Sequence, residues 1–147
     1  MITLRTIDQS NFRAVMGMKR PEGETFVAPN AYSLAQAWLY RDCHDVFPYA
    51  IYQDEESVGF LLLREFSAAR ILLVWRIMFP PEHQNKGYGT RVLRMVMDNA
   101  RAEGRFDSLV LTAHPDNAIG CHVYRKLGFV PTGNMEENGE MEMKLEL

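Results

Sequence analysis

The stretch Val74-Trp75-Arg76-Ile77-Met78-Phe79-Pro80-Pro81-Glu82-His83-Gln84-Asn85-Lys86-Gly87-Tyr88-Gly89-Thr90-Arg91-Val92-Leu93-Arg94-Met95-Val96 reads as a strand, a short loop and a helix. Apart from Arg76 its first six residues are apolar, aromatic or β-branched, and two prolines stop them, as at the end of a buried strand. Over residues 88–101 the apolar side chains Val92, Leu93, Val96, Met97 and Ala100 recur at helical spacing, with arginines elsewhere around the wheel. Between strand and helix lie Gly87 and Gly89. Glycine takes backbone angles that other residues avoid and admits a close neighbour. The first amides of a helix have no internal partner and the helix dipole is positive there, so this loop suits a phosphate or pyrophosphate, with Lys86 adding a full charge. It is not a P-loop, where the lysine follows the glycine and is itself followed by Ser or Thr. It is not the dinucleotide fingerprint either, because Arg91 and Val92 stand where another glycine is needed. An ordinary strand-loop-helix whose glycines serve tight packing is the alternative at this level.

A chain of 147 residues suits one domain, 1–147, with a single core. Hydrophobic residues make up 47% and charged residues 24%, ordinary values for a soluble globular protein. A net charge of −3 argues against general nucleic-acid binding and mildly favours a cationic or neutral small substrate. Cys43 and Cys121 are the only cysteines, so no disulfide framework is expected, and the closely spaced ligands of a metal site are missing. The N-terminus lacks the apolar core of a signal peptide, and no run of ~18 apolar residues suggests a membrane span. The expected location is therefore a reducing cytoplasm.

Outward from the central stretch, residues 2–7 read as a strand, and Phe12, Val15 and Met16 give a short helical face through about Lys19. A second helix starts near Pro29-Asn30-Ala31-Tyr32-Ser33 and carries Leu34, Ala35, Trp38 and Leu39 as its apolar stripe to about Cys43. Residues 46–53 and 58–64 form a hairpin around Asp54-Glu55-Glu56-Ser57. After the central helix, closed by Gly104, residues 109–113 form a second strongly apolar strand. A helix follows over 118–127 and stops at Gly128. Two strands, Phe129-Val130 and residues 141–147, flank a polar loop. The order βααβββαβαββ predicts a mixed α/β fold with a parallel strand pair at its centre and antiparallel flanks.

Gln84-Asn85-Lys86-Gly87-Tyr88-Gly89 resembles the Q/R-x-x-G-x-G/A pyrophosphate loop of the GNAT superfamily of N-acetyltransferases. Asn117-Ala118-Ile119-Gly120-Cys121-His122-Val123-Tyr124-Arg125-Lys126-Leu127-Gly128-Phe129 resembles that family's N-x-x-A-x-x-x-Y-x-x-x-G-F pattern, with Cys121 where a small residue is usual. The element order is similar too, so the resemblance covers nearly the whole chain. It implies acetyl-coenzyme A as cofactor. The loop amides of Gln84 through Thr90 would hold the pyrophosphate, the strand around Ile77, Met78 and Phe79 would align the pantetheine arm, and Asn117 would contact it. Tyr124 would be the general acid for the departing thiolate; a phenol of pKa ~10 lies near an alkyl thiol, making the transfer nearly balanced. A core tyrosine with a satisfied hydroxyl is the alternative for Tyr124.

Trp75-Arg76-Ile77-Met78 and the segment Phe26-Val27-Ala28-Pro29-Asn30-Ala31-Tyr32-Ser33-Leu34-Ala35-Gln36-Ala37 also resemble GNATs related to the bacterial spermine/spermidine acetyltransferases. The resemblance thus implies a polyamine acceptor such as spermidine or spermine, with Glu22, Glu24, Tyr32 and Arg76 as acceptor-side residues and Asp42 and Asp45 adding negative charge. Other amines (a protein N-terminus, an amino acid, an antibiotic) and a non-catalytic acyl-CoA sensor are the alternatives. Residues 72–79 contain no carboxylate to act as base, which leaves a water chain, a backbone carbonyl or a carboxylate of the early loop, Glu22 or Glu24, for that role, with solvated loop charge as the alternative for those two. Arg76 is expected to meet a carboxylate. Cys121 and His122 are neighbours on a helix and a poor nucleophile pair, while His83 and His114 flank the proposed site. Relatives often dimerise, so a homodimer is an expected assembly; nucleic acid and membrane are not expected partners.

Overall fold

The computed structural model describes residues 1–20 and 28–147. The strands are β1 (Ile2–Thr6), β2 (Val46–Gln53), β3 (Glu56–Phe66), β4 (Ile71–Met78), β5 (Ser108–Ala113), β6 (Val130–Met135) and β7 (Met141–Glu146); the helices are α1 (Phe12–Gly17), α2 (Asn30–Leu39), α3 (Tyr88–Glu103) and α4 (Ala118–Leu127). This is the expected order, with short 3-10 turns added at Arg41–Cys43, Ser67–Ala69 and Pro81–His83. One mixed sheet runs β1-β2-β3-β4-β5-β7-β6. Its central pair, β4 and β5, is parallel and the flanking pairs are antiparallel.

The sheet is covered on both faces. On one face Val92, Leu93, Val96, Met97 and Ala100 of α3 are all buried against Ile51, Leu61, Leu72, Val74 and Leu109 of the strands. Each of these side chains other than Ala100 contributes roughly 1.5–3 kcal/mol relative to exposure. On the other face a smaller cluster gathers Val15 of α1, Ala50, Tyr52, Phe60, Leu62 and Met78, with Leu34, Ala37 and Trp75 packed against it.

Helix α2 departs from its expected stripe. Its buried residues are the polar Asn30 and Ser33, whereas Trp38 and Leu39 are 67% and 65% exposed and Ala35 is exposed as well. The apolar periodicity is right at Leu34, which packs with Ala37 against the smaller cluster, and wrong at Ala35, Trp38 and Leu39, because polar contacts take part in docking this helix. Asn30 Nδ2 donates to the Val15 carbonyl at 2.9 Å, and Ser33 Oγ accepts from Arg76 at 3.2 Å. The helix also stops at Leu39, and a 3-10 turn carries the chain to Cys43.

Strand β4 contains an irregularity that decides the layout of the site. Leu62 pairs with Arg76 and Leu63 with Val74, so Trp75 is an extra residue. In an unbroken strand Trp75 and Arg76 would point to opposite faces. Here Trp75 packs against the cluster beneath α2, and Arg76 reaches Ser33 and Gln36 of that same helix. Bulges bend a strand and increase its twist, and this one follows directly on the last residues that β4 shares with β5. Their pairing consists of Ile71↔Ser108, Leu72↔Leu109 and Leu73↔Val110. Beyond it, β4 stays with β3 and β5 stays with β7, and the two central strands part.

Gly59 of β3 fixes the far end of β4. A Cβ there would lie 2.6 Å from Phe79 Cδ1 and 2.7 Å from the Met78 carbonyl oxygen. Gly59→Ala should therefore destabilise the fold by about 1–3 kcal/mol. Gly17→Ala, with nothing within 4 Å, should be neutral or stabilising by up to about 1 kcal/mol. Urea unfolding of both variants checks the pair, and equal effects would refute the packing account.

Candidate active site

Where β4 and β5 part, they open a cleft of about 1020 Å³. Ile71, Leu73, Trp75, Arg76 and Ile77 of β4 line one wall, and Val110, Leu111, Thr112 and Ala113 of β5 the other. His114, Asn117 and Tyr124 enter from the chain beyond β5, and the β6–β7 hairpin adds Glu136, Glu137, Glu140 and Glu142. From Val74 to Met78 the outer backbone edge of β4 has no strand beside it among the described residues, because β3 occupies only the other edge. Such an edge offers unpaired N–H and C=O groups to an extended ligand.

The loop after β4 is built to present amides. Gln84 Nε2 donates to the Phe79 carbonyl at 3.0 Å and closes the turn at Pro81–His83. Asn85 and Gly87 then take positive φ of 60° and 76°, the left-handed conformation that turns successive N–H groups toward a common side. Among the described residues no acceptor meets the amides of residues 85–90; the first amide of α3 to bond internally is that of Arg91, to the Gly87 carbonyl. Lys86 is exposed beside them. The Tyr88 ring turns back onto Phe79 and His83, with centroids 6.1 and 6.4 Å apart. These loop residues do not line the cleft itself; they follow it past the end of β4. Of Ile77, Met78 and Phe79, only Ile77 lines the cleft. Met78 is buried under α2 and Phe79 packs on the larger core, which leaves those two their backbone to offer.

Asn117 caps α4 by accepting from the Gly120 amide at 3.0 Å. That bond uses Oδ1 and requires Gly120, since a Cβ there would lie 2.6 Å from Asn117 Nδ2. Two turns on, Tyr124 is half-buried, edge-on to Phe129 at 6.2 Å. Burial first, then the neighbouring Cys121 and Glu140, push its phenol up to about 12. The group is thus protonated at neutral pH and able to donate. Full transfer to a thiolate of ordinary basicity would be uphill and not nearly balanced, a correction to the expectation from the free phenol.

Arg76 also differs from expectation. Its guanidinium meets no carboxylate among the described residues. Nη1 donates to Ser33 Oγ and Gln36 Oε1, and the Tyr32 ring lies 5.4 Å away. Burial lowers its pKa and the Tyr32 and Glu140 charges raise it. Asp42 is exposed outside the cleft, and Asp45 pairs with Arg64 at 3.6 Å. Glu22 and Glu24 lie outside the described residues. Cys121 is buried and His122 exposed, and His83 faces Glu56 at 3.4 Å.

Glu140 was invisible in the sequence. It sits in a run of acidic residues at a hairpin turn, which reads as solvated charge. Only the pairing of β7 with β5, Thr112↔Glu142 and Ala113↔Met141, brings that turn to the mouth of the cleft. There Glu140 Oε2 accepts from Thr112 Oγ1 at 2.7 Å.

The chain aligns with the spermidine N(1)-acetyltransferase of Escherichia coli K12 at 32% identity over 82 residues, 56% of this chain and 44% of that protein, so it spans less than half of that relative's length. It aligns with the spermine/spermidine N(1)-acetyltransferase of Bacillus subtilis 168 at 22% identity over 99% of both chains. Its fold is similar to the spermidine N-acetyltransferase of Vibrio cholerae solved in complex with CoA and spermine, with a TM-score of 0.78 over 99% of this chain and 95% of that one at 17% identity. Among the described residues no helix is long and apolar enough to cross a membrane. The profile of the acetyltransferase (GNAT) family matches residues 12–129, four-fifths of the sequence, and the chain belongs to that family.

Proposed function

We propose that this protein is an acetyl-CoA-dependent N-acetyltransferase acting on a small primary amine, with a polyamine such as spermidine or spermine as the favoured acceptor. The observation that carries this is the open edge of β4 facing a protonated Tyr124 across the cleft, with unpaired loop amides at the end of the same strand. Acetyl-CoA supplies a thioester acetyl group that passes to the amine and leaves a free thiol. The amides of residues 85–90 and the Lys86 ammonium would hold the pyrophosphate. The free edge at Ile77 would pair with the amide groups of the pantetheine arm, and Asn117 would meet that arm from α4. Tyr124 would hold its proton until negative charge develops on sulfur and then deliver it. Alignment of two bound reactants supplies much of the acceleration.

Two facts support a polycationic acceptor. The relatives quoted above are named for spermidine and spermine, and the hairpin beside the cleft carries Glu136, Glu137, Glu140 and Glu142. One observation favours a second reading. Arg76 lines the cleft with only neutral acceptors on its Nη1, and a guanidinium so placed suits an acceptor that brings its own carboxylate, such as an amino acid.

Acetyl-CoA should raise Tm, because a ligand that binds only the folded state stabilises it; no shift would remove the loop from the site. Tyr124→Phe should lower kcat by about 10²–10⁴-fold and leave that shift unchanged, whereas a coenzyme sensor would show the shift and no turnover in either form. Thiol release measured over polyamines and amino acids, with Arg76→Gln alongside, separates the two acceptors: a KM raised only for amino acids establishes the second reading, and an unchanged polyamine KM is expected under the first.

A further inference from the structure

The amine must lose a proton before it can attack, since an alkylammonium has a pKa of about 10 and is almost wholly charged at neutral pH. Strand β4 carries no carboxylate to take that proton. Among the described residues, the cleft has one carboxylate with the right surroundings. Glu140 is half-buried, and its main chain is pinned on both sides: its amide donates to Asn138 Oδ1 at 3.0 Å, and its carbonyl accepts from the Glu136 amide at 2.8 Å. Thr112 of β5 orients one carboxylate oxygen, Oε2, at 2.7 Å. The other oxygen has no partner among the described residues.

The remaining charged groups of the cleft, among the described residues, are committed elsewhere or exposed. Glu142 accepts from Thr132 Oγ1 and Asn134 Nδ2 on the outer side of the hairpin. Lys144 pairs with Glu146 at 3.2 Å, and His114 lies 3.6 Å from Asp116 while its Nδ1 accepts from the Asp116 amide. Glu136 and Glu137 are exposed at the turn. Tyr124 on α4 and Arg76 on β4 line the same cleft as Glu140. Glu140 thus shares the cleft with the proposed acid and with a residue of the acceptor side.

Resting on the acetyltransferase reading above, we propose that Glu140, oriented by Thr112, binds the acceptor ammonium and takes the proton it must lose. The nitrogen loses two protons in forming the amide. One passes to Glu140 and then to solvent. The other replaces, by way of solvent, the proton that Tyr124 gives to the thiol. The nitrogen lone pair forms the new C–N bond as the C–S bond breaks. Thr112 is a positioning residue in this scheme.

The test is kcat/KM for spermidine against pH, from about 6 to 10, for the unchanged protein, Glu140→Gln and Thr112→Val, with the acetyl-CoA shift in Tm measured on each. Glu140→Gln should lose about 10²-fold at pH 7, with the deficit shrinking as rising pH deprotonates the amine. Thr112→Val should show a smaller loss with the same pH trend, and both should keep the Tm shift. A Glu140→Gln loss that is equal at every pH, or activity within twofold of the unchanged protein, would overturn the proposal and leave the acetyltransferase reading standing. No thiol release by the unchanged protein on any amine would overturn both.

Discussion

The structure depends on the parting of two parallel strands. β4 and β5 share three residue pairs and then diverge, each keeping its antiparallel partner on the far side. A sheet covered on both faces normally buries its central backbone completely. Here the central strand keeps one backbone edge unpaired among the described residues, and the cost of those groups is tolerated because the gap opens into the cleft. The bulge at Trp75 makes this possible within a continuous strand, and the same extra residue delivers Arg76 to α2.

Around that gap, elements distant in sequence supply one group each. The rigid parts hold the mobile chemistry: α3 is anchored by five buried side chains, so its N-terminal turn is fixed relative to β4. α4 is anchored by Cys121 and capped by Asn117, which fixes Tyr124. The hairpin after β6 hangs from β7 and so is held by β5. Its own outer strand is an irregular edge, with all six residues exposed and pairing interrupted between Pro131 and Met135. Such interruption leaves a poor template for another chain.

Much of this was legible in the chain itself. The five apolar residues of α3, the apolar run of β5, and Gly104 and Gly128 as positive-φ helix ends all follow from local spacing and backbone preference. Asn117 and Tyr124 were legible through the family pattern, and the structure brings both to the cleft. What escaped was tertiary. Leu72, Val74, Trp75, Ile77 and Met78 are apolar in either register, so nothing in the alternation marks a bulge. Arg76 was expected to need a carboxylate, but an amide and a hydroxyl from a helix some forty residues earlier satisfy one arm of it. Helix α2 docks through Asn30 and Ser33 as well as Leu34 and Ala37, and Glu140 matters only because of which strand its hairpin hangs from.

The bulge also gives the molecule an internal optical reporter. There are two tryptophans. Trp38 is 67% exposed, with the Arg41 guanidinium 4.0 Å from its ring, so it should emit much as an indole in water does. Trp75 is half-buried on the wall of the cleft, with the Tyr40 ring at 6.2 Å. Its emission should respond to what occupies the space between the central strands, so replacing Trp38 by Phe would leave a single tryptophan through which filling of the cleft should be readable as a change in emission.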